Sequence, residues 1–108
     1  MLGILAACGQ EVPASQRYPG PWQNDPNIEI IRTLAWNRVR GCGELYYRAV
    51  RDNVAHLELS KRGEYLVACS DGAKYTLYLV FTVPNENGTI VGPAEKPNDI
   101  PWPQFTQP

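Results

Sequence analysis

The chain has 108 residues, which is enough for one small domain with a single hydrophobic core. Ten basic and eleven acidic side chains give a net charge of −1, and this balance argues against the basic surface that nucleic-acid binding requires. No apolar run approaches the roughly 20 residues that span a bilayer. The ten prolines lie mainly towards the two ends, which predicts a compact middle with extended arms.

The N-terminal part of the chain predicts a tether followed by a helix. Residues 9–24 (GQEVPASQRYPGPWQN) hold three prolines and no helical or strand periodicity, which predicts an extended tether. Asp25 can cap the first turn of a helix, and Pro26 suits the first helical position. Gly41 is expected to end this helix. Its predicted apolar stripe consists of Ile28, Ile31, Leu34, Ala35 and Val39.

The middle of the chain predicts an antiparallel sheet. The segments with strand-like composition are 44–51, 64–70, 74–82 and 89–91. Asp71-Gly72 predicts a two-residue hairpin turn, because both central residues of such a turn need positive φ. The predicted fold class is therefore α+β, with one N-terminal helix packed on a small three- or four-stranded antiparallel sheet and extended proline-rich termini. The domain is expected to cover residues 25–93, and a proline-rich tail residues 94–108.

The predicted strand registers rest on two assumptions. The two-residue turn pairs Ser70 with Ala73, and a disulfide between directly opposite Cys42 and Cys69 would pair the first two strands. Alternation then predicts one apolar face for the helix to cover. That face comprises Leu45, Tyr47, Ala49, Leu66, Ala68, Tyr75, Leu77, Leu79 and Phe81. The opposite face would carry a tyrosine row beside Arg48, formed by Tyr46, Tyr65 and Tyr78.

The tyrosine row and Arg48 form the predicted binding face, and its role stays open at this point. Cross-strand aromatic pairs stabilise a sheet without any ligand. Tyrosine and arginine also contribute much of the energy at protein interfaces, which would make the face a recognition surface. A third possibility is that the tail, with Trp102 and Phe105, folds over the row.

The cysteines and the histidine limit the chemistry that the chain can perform. Three cysteines, no CxxC pair and one histidine leave too few ligands for a structural zinc site, and no cofactor is expected. Cys42 and Cys69 form either a disulfide or two buried free thiols. His56 lies in a polar connection, and the chain has no GxSxG elbow or phosphate loop. We interpret His56 as a solvated loop residue and predict no catalytic residue.

The segment Leu5-Ala6-Ala7-Cys8-Gly9 resembles the lipobox of bacterial lipoproteins. The resemblance implies that Cys8 becomes the lipidated first residue, that residues 1–7 are the end of a signal peptide, and that 8–24 carry the anchor and tether. Gly9 implies the periplasmic side of the outer membrane. MLGILAA lacks a basic n-region, so either the true start lies upstream or the match is accidental. The lipobox leaves Cys42 and Cys69 as an even pair, which favours the disulfide.

The middle of the chain, from GCGELYYRA through EYLVACSDGAKYTLYLVF to IVGPAE, resembles small uncharacterised proteins and lipoproteins of alphaproteobacteria. This resemblance implies no activity. Residues 68–75 (ACSDGAKY) are more weakly similar to the hairpin of membrane-bound inhibitors of C-type lysozyme. The chain departs from that family because it has no second Ser-Gly loop and because a helix precedes the strands.

The functional expectation is a non-enzymatic cell-envelope lipoprotein that is held to the membrane by its lipid anchor. It would present an interaction surface to another envelope protein or to a cell-wall component. The alternatives are an inhibitor of a cell-wall hydrolase and a phage-type exclusion lipoprotein. Nucleic acid is not an expected partner, and the oligomeric state stays open.

Overall fold

A computed structural model describes residues 12–53 and 63–104. It confirms the predicted α+β class: the described residues form two helices and one four-stranded antiparallel sheet in the order β1-β2-β3-β4. The elements are α1 (Ala14–Arg17), α2 (Ile28–Trp36), β1 (Glu44–Ala49), β2 (Gly63–Ser70), β3 (Tyr75–Val83) and β4 (Glu86–Ala94). Cys8, the predicted signal-peptide residues, His56 and Phe105 lie outside the described residues.

Helix α2 begins later and ends earlier than predicted. Asn27, and not Asp25, is the N-cap: its side-chain oxygen accepts a hydrogen bond from the Ile30 amide at 3.1 Å. Asn27 has an extended backbone, so the preceding Pro26 cannot be the first helical residue. The helix ends at Trp36, ahead of Gly41, because Arg38 has a left-handed φ of 61°.

The buried face of α2 differs from the predicted stripe. Ile30, Thr33 and Leu34 are buried, whereas Ile28 is 66% exposed and Ile31 is also exposed. Of the predicted stripe, Leu34 belongs to the core and Val39 packs against it. A buried threonine fits this face because its hydroxyl donates to the Glu29 carbonyl at 2.8 Å, which satisfies the polar group within the helix.

The β2–β3 hairpin has a longer loop than predicted. Ser70 pairs with Tyr75 and not with Ala73. The Asp71 side chain accepts hydrogen bonds from the amides of Ala73 and Lys74 at 2.9 Å each, so residues 71–74 close the turn together. This moves the pairing by two residues along β3, and a shift of two leaves every side chain on its predicted face.

The predicted β1–β2 register is wrong, and this error changes which side chains of β1 lie on which face of the sheet. The disulfide between Cys42 and Cys69 is confirmed, with its Cα atoms 4.7 Å apart. However, Cys42 precedes β1, and Leu45 is the residue opposite Cys69. The Gly43 amide donates to the Ser70 carbonyl at 2.8 Å, which sets this offset at the end of the strand. The register moves by an odd number of residues, so β1 presents the opposite face to that predicted.

The sheet is covered on both faces. Helix α2 packs Ile30 and Leu34 on one face, which consists of Tyr47, Tyr65, Val67, Cys69 and Val80. The predicted core face, with Leu66, Ala68, Leu77 and Leu79, is instead covered by the two terminal segments. Tyr18 and Ile100 are buried in these segments, and Trp22 packs beside them.

The predicted tether is therefore wrong for residues 12–24. Residues 14–17 form α1, and Gln23 bridges to β1 through two hydrogen bonds of 2.9 Å with the Tyr47 backbone. The physical reason is that nearly every residue of β2 is buried, so the sheet has two apolar faces and a single helix covers one of them. In the part of the chain that the structure describes, no helix has the length and apolar character needed to cross a membrane.

Candidate functional site

The two terminal segments and strand β1 enclose an open cleft of about 460 Å³, which we call the aromatic cleft. Its walls are formed by Trp22, Tyr46, Arg48 and Trp102, together with three prolines, and the amides of Asn24 and Gln104 lie at its edge. A volume of this size falls within the range of about 300 to 1,000 Å³ that is common for small-molecule sites. The cleft is therefore large enough to hold a ligand.

The N-terminal wall is held in place by backbone pairing. Gln23 is bridged to Tyr47 on β1, and Asn24 donates from Nδ2 to the Leu45 carbonyl at 2.9 Å. Trp22 then donates from its indole Nε1 to the carbonyl of Pro101 at 2.8 Å. These bonds place the indole between the sheet and the C-terminal segment, so this wall is already formed without a ligand.

Arg48 is the charged group of the cleft, and its side chain is 7% exposed. Its guanidinium lies 4.7 Å from the centre of the Trp22 ring. On another side it lies against the backbone at Gly20, where an added Cβ would come within 2.6 Å of Nη1. A side chain at this position would therefore push the guanidinium away from its present place.

Arg48 is poorly satisfied for a buried cation. Nη1 donates to the Tyr18 carbonyl at 3.3 Å, and Nε is buried with no hydrogen-bond partner among the described residues. In the same part of the chain the salt bridges join Arg17 to Glu64 and Arg32 to Glu29, and Arg48 takes part in neither. Burial lowers the pKa of Arg48. The cleft therefore contains a positive charge that no described carboxylate neutralises.

Aromatic contacts form the C-terminal wall. Trp102 stacks on Tyr75, with ring centres 5.3 Å apart and planes inclined by 12°. Tyr75 in turn meets Tyr46 edge to face at 6.0 Å. The Tyr46 hydroxyl donates to Glu44 Oε1 at 3.2 Å, and burial raises the pKa of Tyr46, so this phenol is neutral. Trp102 is 37% exposed and presents an aromatic surface at the rim of the cleft.

The structure separates the residues of the predicted binding face. Tyr46 and Arg48 lie on the face that carries the aromatic cleft, while Tyr65 and Tyr78 belong to the core under helix α2. Tyr65 packs edge to face against Tyr47 with ring centres 5.8 Å apart. The tyrosine row does not form, because the odd register shift of β1 places Tyr46 opposite Ala68. Tyr65 and Tyr78 therefore act in packing.

Two residues of the cleft, Trp22 and Trp102, lie in segments that sequence reasoning treated as arms. The signal that could have identified Trp22 is an indole within a proline-rich stretch that otherwise has no apolar periodicity. For Trp102, one of the possibilities that the sequence leaves open is that the tail folds over the tyrosine row. That row does not form, and Trp102 stacks on Tyr75, which in turn contacts Tyr46.

The described residues include no group of three histidine, cysteine, aspartate or glutamate side chains that could hold a metal ion. Comparison with protein-family models, with curated proteins and with solved structures finds no match to this chain. Any function must therefore be argued from the chemistry of the aromatic cleft and from the N-terminal motif.

Proposed function

We propose that the protein is a non-enzymatic lipoprotein of the cell envelope that binds another envelope or cell-wall component in its aromatic cleft. The observation that carries the proposal is the pairing of a nearly buried, uncompensated Arg48 with the aromatic walls formed by Trp22 and Trp102. A buried charge without a partner destabilises the free protein, and such groups are therefore concentrated at functional sites.

The proposed location follows from the lipobox at residues 5–9. Acylation of Cys8 would hold the domain at the periplasmic side of the outer membrane, because several buried acyl chains together anchor a protein firmly. Mass spectrometry of the mature protein from a bacterial envelope tests this step. We expect an N-terminal acylated Cys8, and a Cys8→Ser variant is expected to leave the membrane fraction. An unmodified Cys8 in an envelope-derived protein would overturn the anchor.

The binding proposal is tested by co-sedimentation with purified cell-wall sacculi and with envelope membranes. The protein used is the full chain with Cys8→Ser, so that the proposed lipid anchor does not itself bring the protein down with membranes. The informative variant is Trp102→Ala, which removes an exposed wall of the cleft. Trp36→Ala is the matched control, because Trp36 is 62% exposed on helix α2 and does not line the cleft. We expect Trp102→Ala to lose co-sedimentation and Trp36→Ala to keep it. If the two variants co-sedimented to the same extent, the aromatic cleft would not be the binding site.

An inhibition assay with C-type lysozyme separates this proposal from the alternative of a cell-wall hydrolase inhibitor. The hairpin loop at residues 71–74 corresponds to the segment that resembles those inhibitors, and it lies next to the disulfide. The binding proposal expects no inhibition at protein concentrations that saturate sacculus binding. Inhibition that is lost on Asp71→Ala but kept in Trp102→Ala would favour the inhibitor instead.

A further inference from the structure

The chemistry of the aromatic cleft narrows the class of ligand, and this step rests on the proposed function because it concerns the same site. Among the described residues, the lining of the cleft contains one positive charge, Arg48, and no lysine. A planar guanidinium with unused N–H groups matches the geometry of a carboxylate, to which it donates two parallel hydrogen bonds. One guanidinium pairs with one carboxylate, so the ring that occupies the cleft is expected to carry a single carboxylate.

The walls indicate what carries the carboxylate. Indole rings are flat and apolar, and proline rings are rigid and apolar. Trp22 is held by its hydrogen bond to the Pro101 carbonyl, and Trp102 by its stacking on Tyr75. Such surfaces pack against the C–H face of a saturated ring. The amides of Asn24 and Gln104 at the edge can exchange hydrogen bonds with hydroxyl groups. Apolar faces with polar groups at their margins suit a pyranose ring better than a purely apolar ligand.

An extended peptide is disfavoured by the state of the adjacent strand edge. A peptide that added to the sheet here would need the free backbone groups of β1. Those of Tyr47 are already bonded to Gln23, and the Leu45 carbonyl already accepts from Asn24. The cleft therefore offers a peptide side-chain contacts but little main-chain pairing.

We infer that the aromatic cleft binds a sugar acid, with the carboxylate held by Arg48 and the pyranose ring packed against the aromatic walls. The ligand class is a uronic-acid-type saccharide with one carboxylate on each ring. Binding involves no covalent step.

The test is a titration of the ¹⁵N-labelled full chain with trigalacturonic acid, followed by NMR of the indole N–H signals. The control ligand is the methyl ester of the same trisaccharide, which keeps the rings and removes the charges. We expect the acid to shift the signals of Trp22 and Trp102 and to leave that of Trp36 unchanged. The ester is expected to bind at least about tenfold more weakly, because charge-assisted hydrogen bonds are lost. Affinity for the acid should also fall with added salt.

Two variants locate the interaction. Arg48→Gln is expected to reduce the affinity for the acid about tenfold or more and to abolish its preference over the ester. Because Arg48 is nearly buried, this variant risks misfolding. Trp102→Leu at the partly exposed rim provides an independent loss of binding, and circular dichroism checks that this variant is folded. Equal affinity for acid and ester, or equal shifts at all three indoles, would overturn the inference.

Two further ligands define the competing outcomes. The sugar-acid inference would also be overturned if inorganic phosphate or a short acidic peptide shifted the indole signals at a lower concentration than trigalacturonic acid does. If the protein binds sacculi through Trp102 but does not bind the sugar acid, the proposed function stands and this inference fails. If it binds the sugar acid at Trp22 and Trp102 but binds neither sacculi nor envelope membranes, the inference stands and the proposed function fails.

Discussion

The indole Nε1 of Trp22 donates a hydrogen bond of 2.8 Å to the carbonyl of Pro101, a residue 79 positions further along the chain. This bond joins the N-terminal segment to the C-terminal segment on the face of the sheet opposite helix α2. Both segments contribute residues to the aromatic cleft. The cleft therefore exists because two distant, proline-rich pieces of chain meet, and its shape depends on this contact.

Replacement of Trp22 by phenylalanine tests that dependence. The Trp22→Phe variant keeps an aromatic ring but removes the donor, and we expect the free energy of unfolding to fall by about 0.5 to 1.5 kcal/mol. Urea denaturation provides the measurement. Trp36→Phe is the control, since an exposed site with no described hydrogen bond should change stability by less than about 0.5 kcal/mol. If the two variants lost the same free energy of unfolding, the hydrogen bond to Pro101 would not contribute to stability.

Gly88 tests the packing of helix α2 on the sheet. A Cβ at this position would overlap the Phe81 carbonyl oxygen and approach the Thr33 hydroxyl to 2.8 Å. Gly88→Ala is therefore expected to lower the free energy of unfolding by about 1 to 3 kcal/mol, because the backbone of β3 cannot move aside cheaply. At Gly43 a Cβ would meet its nearest neighbour, the Ser70 carbonyl, at 3.4 Å. Gly43→Ala should consequently change stability by less than about 1 kcal/mol, and a reversed order would contradict the packing described.

Removal of the disulfide tests how much it stabilises a domain of this size. The bridge closes a loop with a sequence separation of 27 between Cys42 and Cys69. Restricting the unfolded chain to that extent corresponds to about 3 to 4 kcal/mol. We expect the double variant Cys42→Ala/Cys69→Ala to lose about this amount in chemical denaturation. Reductant should destabilise the parent protein and leave the double variant unchanged, whereas an effect on both would trace the loss to another source.

Stability at alkaline pH should depend on Tyr18. Burial and then its hydrogen bond to Glu64 raise the pKa of this phenol from 10 to about 12. Because the folded-state pKa lies above the unfolded one, the stabilisation is complete below pH 10 and is lost as the pH rises towards 12. Burial also raises the pKa of Tyr46, Tyr47 and Tyr75, so these phenols act in the same direction.

The measurement is the free energy of unfolding between pH 8 and pH 11, compared for the parent protein and Tyr18→Phe. We expect the parent to lose stability above about pH 10 and the variant to lose less over the same interval. The variant is expected to be less stable at pH 8, where the hydrogen bond to Glu64 is intact in the parent. Parallel pH profiles for the two proteins would show that the pKa of Tyr18 is the same in the folded and unfolded states, which would contradict the prediction.

Local patterns predicted those elements whose signals lie within a few residues of one another. Three strands start or end within a residue or two of their predicted positions, and the β2–β3 loop contains the predicted Asp71-Gly72, although it extends to Lys74. The pairing of Cys42 with Cys69 also followed, once Cys8 was assigned elsewhere. Half of the predicted binding face, Tyr46 with Arg48, was correctly placed together, because alternate residues of one strand always share a face.

The remaining features depend on pairs of residues that are far apart in sequence. The hydrogen bond from Gly43 to Ser70 at the end of β1 places Leu45, and not Cys42, opposite Cys69. This register puts Tyr65 and Tyr78 on the other face of the sheet from Tyr46. The sequence by itself determined the α+β class and the approximate strands, since these follow from local periodicity and residue type, whereas it only favoured the disulfide over two free thiols. The tertiary structure decided the register and the folding of both termini onto the sheet, because a sheet with two apolar faces must bury both. The aromatic cleft around Arg48 is a consequence of that burial.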